Sequence, residues 1–323
     1  MDRPAKLRNL VRPKDVTFAQ NLEVGLRSFD SDCRSLPGIS EGTARDVLVE
    51  QLVESVRRIK YVSAICKQNL SSSRADPASD LFDPIKAAAL RMREGREEDA
   101  FWFVFLSVHF GKHRHSGWQL ARDVYGRLGS PPIWDWANIS AHPNDFRRWL
   151  QQQERRLKSD GIPRHFGNHR KYQSLDARSL TGTGAAFETY VEWVGPPRTH
   201  RMLFEQVTAE CGRDPKAAFD YLYRSMRNVA SFGRTARFDY LTMVGKLGLA
   251  VIEPGSTYMD GATGPLAGAR LLFGGTNNPA IGRAELDGWL VELGMHLDVG
   301  MQVLEDALCN WQKSPARLIR FRG

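Results

Sequence analysis

Four carboxylates in the second half of the chain lie in segments rich in apolar, aromatic or glycine residues. They are Asp239, Glu253, Glu305 and Asp306. A carboxylate in such surroundings can act as a general acid or base, or stabilise positive charge that develops on a reacting group. A charge within an apolar helix needs a partner or a shifted pKa, so Asp239 is either a catalytic acid or a structural partner of Arg234 or Arg237.

The first two carboxylates belong to a segment, residues 228–275, whose pattern is typical of chains that bind a nucleic acid backbone. The sequence Ser-Phe-Gly-Arg-Thr-Ala at residues 231–236 predicts a tight turn at Gly233 that opens a helix from about Arg234 to Leu247. The N–H groups at such a helix start point at a bound phosphate, with Arg234 and Arg237 beside it. An acidic turn at residues 253–255, a glycine-rich stretch at 261–265 and a small-residue helix at 266–273 follow.

Four motifs in combination resemble the alpha-glutamyl/putrescinyl thymine pyrophosphorylase family, third clade, from about Phe101 to Gly323. The motifs are FGNHRKYQSL (Phe166 to Leu175), FGRTARFDYL (Phe232 to Leu241), GATGPLAGARLLFGG (Gly261 to Gly275) and LEDALCNWQK (Leu304 to Lys313). That family is regarded as a relative of the helix-hairpin-helix DNA glycosylases. Its phage members are implicated in making hypermodified thymine, and some cellular members look like antiviral glycosylases.

This resemblance implies a fold and a set of binding residues. The expected fold is mainly α, a helix-hairpin-helix glycosylase-like bundle with an N-terminal helical extension, which agrees with the succession of helical patterns along the chain. Loop 110–117 would reach into the DNA and fill the gap left by a flipped base, although an ordinary connection, or a metal site at His109, His113 and His115, remains open. The candidate DNA- and base-binding residues are Lys112, His113, Arg114, Asn168, His169, Arg170, Lys171, Tyr172, Gln173, Gly233, Arg234, Arg237, Tyr258 and Arg270.

The resemblance also implies a chemistry. Glu253, after Val251 and Ile252, stands where the glycosylases carry their catalytic Asp. The hairpin segment Gly233 to Ala236 lacks the lysine that bifunctional glycosylase/lyases use, and arginine does not readily become a neutral amine nucleophile. We therefore expect a monofunctional glycosylase that removes a bulky modified pyrimidine from phage DNA and leaves an abasic site. A transferase that replaces pyrophosphate on a modified thymine, and a non-catalytic module that binds modified DNA, are the alternatives.

Composition agrees with a polyanionic partner. The 323 residues carry a net charge of +8, with a pI near 9.4. The four scattered cysteines show no metal-binding spacing, so we expect no metal, iron–sulfur cluster or other cofactor, and reduced thiols in a cytoplasm. No apolar run is long enough for a membrane span. We expect double-stranded DNA carrying modified bases as the partner and no obligate protein partner.

The helical pattern suggests a domain boundary near residue 98. Residues 1–98 would form the N-terminal extension, with helices at about 43–68 and from Asp83-Pro84 to Met92, and residues 99–323 the glycosylase-like domain. The stretch from Ala100 to Val108 is apolar on all sides and predicts a buried central helix. Trp134, Trp136 and Trp149 are either core anchors or bases' stacking partners.

Overall fold

The computed structural model describes residues 12–167, 170, 173–276 and 280–319. These residues form fourteen α-helices and no β-strand, which confirms the mainly α fold. In chain order the helices are α1 (Val16–Ser28), α2 (Gly42–Ile65), α3 (Pro84–Arg93), α4 (Glu97–Phe110), α5 (Gln119–Tyr125), α6 (Trp136–Ala141), α7 (Pro143–Ser159), α8 (Thr183–Val194), α9 (His200–Glu210), α10 (Pro215–Ser225), α11 (Arg234–Lys246), α12 (Gly264–Gly274), α13 (Arg283–Leu297) and α14 (Met301–Trp311).

Contacts divide the described chain into two compact units at places that differ from the boundary predicted near residue 98. One unit contains residues 62–253, and the other combines residues 12–61 with 254–319. The last three helices join the N-terminal ones because their apolar faces share one core, in which Leu290, Leu304 and Trp311 pack with Leu22 and Leu48. Side-chain periodicity shows that a helix has an apolar face, but not which distant helix covers it.

Helix α4 is the centre of the unit formed by residues 62–253. Every residue from Asp99 to Phe110 is buried, as its continuous apolar sequence predicts. Trp102 packs on Phe187 and donates its indole N–H to the Trp134 carbonyl at 2.7 Å. Trp134, Trp136 and Trp149 are also buried, so these three side chains serve as core anchors.

In the other unit, the motif at residues 261–275 brings α12 into close contact with α14. A Cβ built on Gly268 would lie 2.4 Å from the Leu308 carbonyl oxygen, and one on Gly264 would lie 2.7 Å from the sulfur of Cys309. Only glycine therefore fits at residue 268 without moving the α14 backbone, whereas a Cβ at residue 264 would displace the Cys309 side chain. Trp311 is fully buried beneath this contact and donates to the Ala44 carbonyl at 3.1 Å.

None of the described helices combines the length and the apolar character that a membrane crossing requires.

Candidate nucleic acid interface and active-site carboxylates

Helices α10 and α11 flank the turn at which the sequence predicts a helix-hairpin-helix element, within residues 62–253. After α10, a short 3₁₀ turn (Met226–Asn228) leads into a β-turn that the Phe232 N–H closes on the Val229 carbonyl at 3.1 Å. Ser231, the third residue of this turn, has a φ of +61°, the left-handed conformation for which glycine is the usual residue. Helix α11 begins at Arg234, where the Gly233 turn predicts it.

The start of α11 has the open geometry that suits an anion. Gly233 is its N-cap and is exposed, as is Thr235 in the first turn. Glycine has no side chain with which to cap the helix, so this end keeps its positive dipole towards the surface. A phosphate or another anion can bind to such a helix start through backbone N–H groups.

The loop before α8 and the first turns of α8 are hydrogen-bonded to the hairpin turn. Gln173 donates its side-chain amide to the Ser231 carbonyl at 3.1 Å, and the Ser231 hydroxyl donates to the carbonyl of Thr181. The hydroxyl oxygen of Thr189, in the second turn of α8, accepts the Ala230 N–H at 2.9 Å. Three hydrogen bonds therefore hold the hairpin turn against residues 173–189.

Asp239 is paired with Arg170, a partner that the sequence pattern did not predict. An Arg170 nitrogen lies 2.6 Å from an Asp239 carboxylate oxygen, and the Arg170 Nε–H donates to the Val108 carbonyl at 2.7 Å. Arg170 is 8 % exposed, whereas 43 % of the Asp239 side chain is exposed. The sequence suggested Arg234 or Arg237 as the structural partner of Asp239; the structure places Arg170 against this carboxylate, because Gly167 and Arg170 of the FGNHRKYQSL motif lie across the end of α4. The exposed half of the carboxylate remains accessible.

The glycine of that motif is needed for this crossing. Gly167 donates its N–H to the Phe110 carbonyl at 2.7 Å, and a Cβ built on Gly167 would lie 2.8 Å from the backbone carbon of Gly111. The motif residues Asn168, His169, Lys171 and Tyr172 lie outside the described residues.

The two hairpin arginines are engaged within the protein. Arg237 donates to the Tyr223 carbonyl at 3.0 Å, and its guanidinium lies 4.3 Å from the centre of the Tyr223 ring. Arg234 is 8 % exposed, and its guanidinium lies 4.9 Å from the centre of the Phe238 ring. The Arg237 side chain therefore links α11 to α10, and the Arg234 side chain packs on the next turn of α11 itself.

Glu253 presents the most accessible of the four candidate carboxylates. Its side chain is 61 % exposed, and Lys216 at the start of α10 is 4.0 Å away. The Glu253 N–H donates to the Pro215 carbonyl at 3.3 Å, which ties the carboxylate to the helix-hairpin-helix element.

Glu305 and Asp306 lie on α14 in the unit formed by residues 12–61 and 254–319. Both are partly buried, whereas helical spacing predicts that one faces inward and the other outward. Asp306 is 2.5 Å from Arg58 and accepts the Asn310 side-chain amide at 3.0 Å. These contacts give the Asp306 carboxylate a structural role. Tyr258 and Arg270 are half-buried in the same unit.

Loop 111–117 is a small hairpin stabilised by its own histidine. The backbones of His113 and Gly117 exchange two hydrogen bonds, and His113 Nδ1 lies 3.1 Å from the Ser116 hydroxyl. Lys112 and Arg114 are exposed beside it. Desolvation and the neighbouring His165, His115 and Arg114 lower the pKa of His113. Exposed cations on a fixed loop suit a contact with a phosphate backbone.

His109 lies away from that loop, in the core. It is 1 % exposed, and its Nε2 is 3.0 Å from the Thr183 hydroxyl, which in turn donates to the Ser174 carbonyl at 2.7 Å. Because the hydroxyl has a single proton, His109 Nε2 must be the donor. Burial, assisted by Arg170, lowers the pKa of His109 to about 3, so the ring is neutral near pH 7. Within the described ranges no three His, Cys, Asp or Glu side chains are arranged to hold a metal ion.

Sequence reasoning missed two features around this site. The Thr183 hydroxyl links His109 to the loop before α8, and Leu180 in that loop is 84 % exposed. Neither position has a distinctive local pattern; a threonine and a leucine beside glycines are ordinary loop residues. Their significance depends on their position next to the hairpin.

Comparison with known proteins supports the sequence motifs. No curated protein and no solved structure matches the chain. The family model described as alpha-glutamyl/putrescinyl thymine pyrophosphorylase clade 3 matches residues 43–323, and thus includes most of α2 as well as the motifs from Phe101 onwards. The chain therefore belongs to clade 3 of the alpha-glutamyl/putrescinyl thymine pyrophosphorylases, a family of DNA-modification enzymes.

Proposed function

We propose that this protein is a monofunctional DNA glycosylase that flips a bulky modified pyrimidine, such as glucosylated hydroxymethylcytosine, out of double-stranded phage DNA and excises it in antiphage defence. The observation that carries the proposal is the helix-hairpin-helix element of α10 and α11, with an exposed anion-binding start at Gly233 and an accessible carboxylate at Glu253. The family match and the net charge of +8 agree with a DNA substrate.

The hairpin would hold the phosphate backbone close to the base that leaves. The N–H groups at the start of α11 bind a phosphate, and the exposed Lys112 and Arg114 contact the backbone electrostatically. A glycosylase must take the target base out of the stack before it can break the bond to the sugar. Phosphate contacts from both the α11 start and the loop with Lys112 and Arg114 would favour the movement of the base out of the stack.

Glu253 is the carboxylate that we expect to act on the sugar. Positive charge develops on the sugar as the base leaves, and a nearby anion stabilises it or activates the attacking water. Glu253 is mostly exposed, whereas Asp306 is bound by Arg58 and Asn310. Asp239 is the second candidate, because its exposed half remains accessible beside Arg170.

The experiment uses duplex DNA with one glucosylated hydroxymethylcytosine, and plain cytosine as the control substrate. We expect free modified base and a strand that breaks only after alkali, because the hairpin has no lyase lysine. Glu253→Gln should lower the rate of base release by roughly 100- to 1000-fold, and Asp239→Asn tests the second candidate. Glu192→Gln, an exposed carboxylate on α8, is the matched control and should release base at the parent rate.

Three results would contradict the proposal in different ways. Parent-like rates for the folded Glu253→Gln, Asp239→Asn, Glu305→Gln and Asp306→Asn variants would together remove the carboxylate mechanism. Strand breaks without alkali would show that another amine supplies lyase chemistry. No base release from any modified DNA would remove the glycosylase itself.

The family description favours a transferase as the second candidate. In that reaction an amine or amino acid attacks the methylene carbon of a pyrophosphorylated hydroxymethyluracil in DNA, and the carbon–oxygen bond to pyrophosphate breaks. Both reactions require a flipped base, but only this one releases pyrophosphate and leaves in the strand a base that carries the amine in its place. Incubation of such DNA with putrescine or glutamate, followed by a pyrophosphate assay, distinguishes the two.

A further inference from the structure

Leu180 is an unusually exposed apolar side chain. It is 84 % exposed, more than any other large hydrophobic side chain among the described residues. Isolated exposed leucines are common on protein surfaces, so exposure alone implies nothing. The structure around Leu180 is what indicates a function.

The loop that carries Leu180 is held in one shape. A carboxylate oxygen of Asp176 accepts the N–H groups of Arg178 at 2.7 Å and Ser179 at 2.9 Å. The Ser179 hydroxyl oxygen accepts the Thr181 N–H at 3.2 Å. A Cβ built on Gly182 would lie 2.1 Å from the Asp176 carbonyl oxygen, so the loop closes tightly on itself. Leu180 therefore projects from a loop of fixed shape.

That loop is hydrogen-bonded to the hairpin turn. The carbonyl of Thr181, the next residue, accepts the hydroxyl proton of Ser231, and Gln173 on the other side of the loop donates to the Ser231 carbonyl. Leu180 is thus one residue from a direct contact with the turn that opens α11. A DNA strand held at the start of α11 would therefore lie near the loop that carries Leu180.

Arginine side chains lie beside this loop. Arg147, Arg148 and Arg178 line a depression of about 480 Å³, together with Asn144 and Gln151. Arg147 is paired with Glu188, and Arg148 with Asp145, whose side chains are partly exposed. Arg178 is exposed and adds a positive charge two residues from Leu180. An apolar tip on a loop that is hydrogen-bonded to the hairpin turn and carries an exposed arginine is complementary to duplex DNA, whose base stack is apolar and whose edges are phosphate.

We propose that Leu180 inserts into the base stack of double-stranded DNA and occupies the gap that opens when the target base is flipped, an inference that rests on the proposed function. Apolar side chains, leucine among them, separate stacked bases in proteins that distort DNA. The resemblance to hairpin glycosylases assigns this role to loop 110–117, but the exposed side chains there, Lys112, Arg114 and His115, are polar or charged. Leu180 has the apolar shape that stacking requires, and its loop has the rigidity.

The test compares Leu180→Ala with Leu81→Ala, which removes a 50 % exposed leucine from a loop of the same unit. The probe is duplex DNA with 2-aminopurine beside the modified base, because this analogue fluoresces more strongly when it is unstacked. We expect binding of the parent and of Leu81→Ala to raise the fluorescence, and Leu180→Ala to abolish most of that rise. Leu180→Met should restore it, since methionine keeps an apolar side chain of similar volume.

Base release gives the second readout. In single-turnover reactions Leu180→Ala should be slower than the parent by roughly 10- to 100-fold on duplex DNA, because unstacking is no longer compensated. On a single-stranded substrate, where little unstacking is needed, the two rates should agree within about threefold. Equal fluorescence and equal duplex rates for parent and Leu180→Ala would overturn the proposal. A parent that unstacks the probe without releasing base would instead contradict the proposed glycosylase and leave the role of Leu180 supported.

Discussion

Replacing His109 with glutamine should make the protein less sensitive to acid. Burial lowers the pKa of His109 from 6.5 to about 3 in the folded state. Above pH 6.5 the ring is neutral in both states, so it contributes no pH dependence. Below pH 6.5 the unfolded chain binds a proton that the folded chain does not, and the free energy of unfolding decreases as the pH falls towards 3. The loss accumulates over that whole window.

The size of the effect follows from the two pKa values. A pH of 5 lies about 1.5 units below the pKa of the unfolded histidine, whereas the folded histidine is still neutral at this pH. The difference lowers the free energy of unfolding by about 2 kcal/mol relative to pH 7. His109→Gln retains an N–H donor for the Thr183 hydroxyl but cannot titrate. The variant is expected to be less stable at pH 7, because glutamine packs less well than imidazole against Phe105. Its further loss between pH 7 and pH 5 should be about 2 kcal/mol smaller than that of the parent.

Urea unfolding at the two pH values, followed by tryptophan fluorescence, measures this difference. Six of the eight tryptophans lie in residues 62–253, the unit that contains His109, so the signal reports mainly on that unit. The exposed His142→Gln is the control for the change of residue type. An equal loss in parent and His109→Gln would refute the reasoning, since it would mean that His109 is not buried and neutral in the folded protein.

Two further predictions concern stability in the other unit. Gly268→Ala should destabilise this unit by about 1–3 kcal/mol, because the new methyl group would meet the Leu308 carbonyl. Gly288→Ala in α13 is the control: its methyl group meets nothing within 4 Å, so the variant should be neutral or more stable by up to about 1 kcal/mol. Thermal unfolding compares the two variants, and similar melting temperatures would contradict the close packing of α12 on α14. Asp306→Asn should cost no more than about 1 kcal/mol, since its pair with Arg58 is about one-third exposed, and it should leave the rate of base release unchanged. A large loss of that rate in a folded Asp306→Asn variant would return this carboxylate to the catalytic candidates.

The local sequence by itself determined the helices that carry the site. Asp83 and Pro84 mark the start of α3, and the Gly233 turn marks the start of α11, because caps and turns depend on residues that are adjacent in the chain. The continuous apolar stretch of α4 likewise predicts a central buried helix without reference to its neighbours. The four family motifs are also legible in the sequence, and their combination predicted the family.

Only the tertiary structure decided which residues of those motifs contact each other. Asp239 is paired with Arg170, which is 69 residues away, and His109 is neutral because other helices exclude water from it. The sequence predicts a small-residue helix at 266–273, but only the structure shows that Gly268 allows α12 to approach α14. Leu180 gains its proposed role from the hydrogen bond between its neighbour and Ser231. Each of these properties is set by groups brought together across the chain, and periodicity and capping do not encode which distant groups those are.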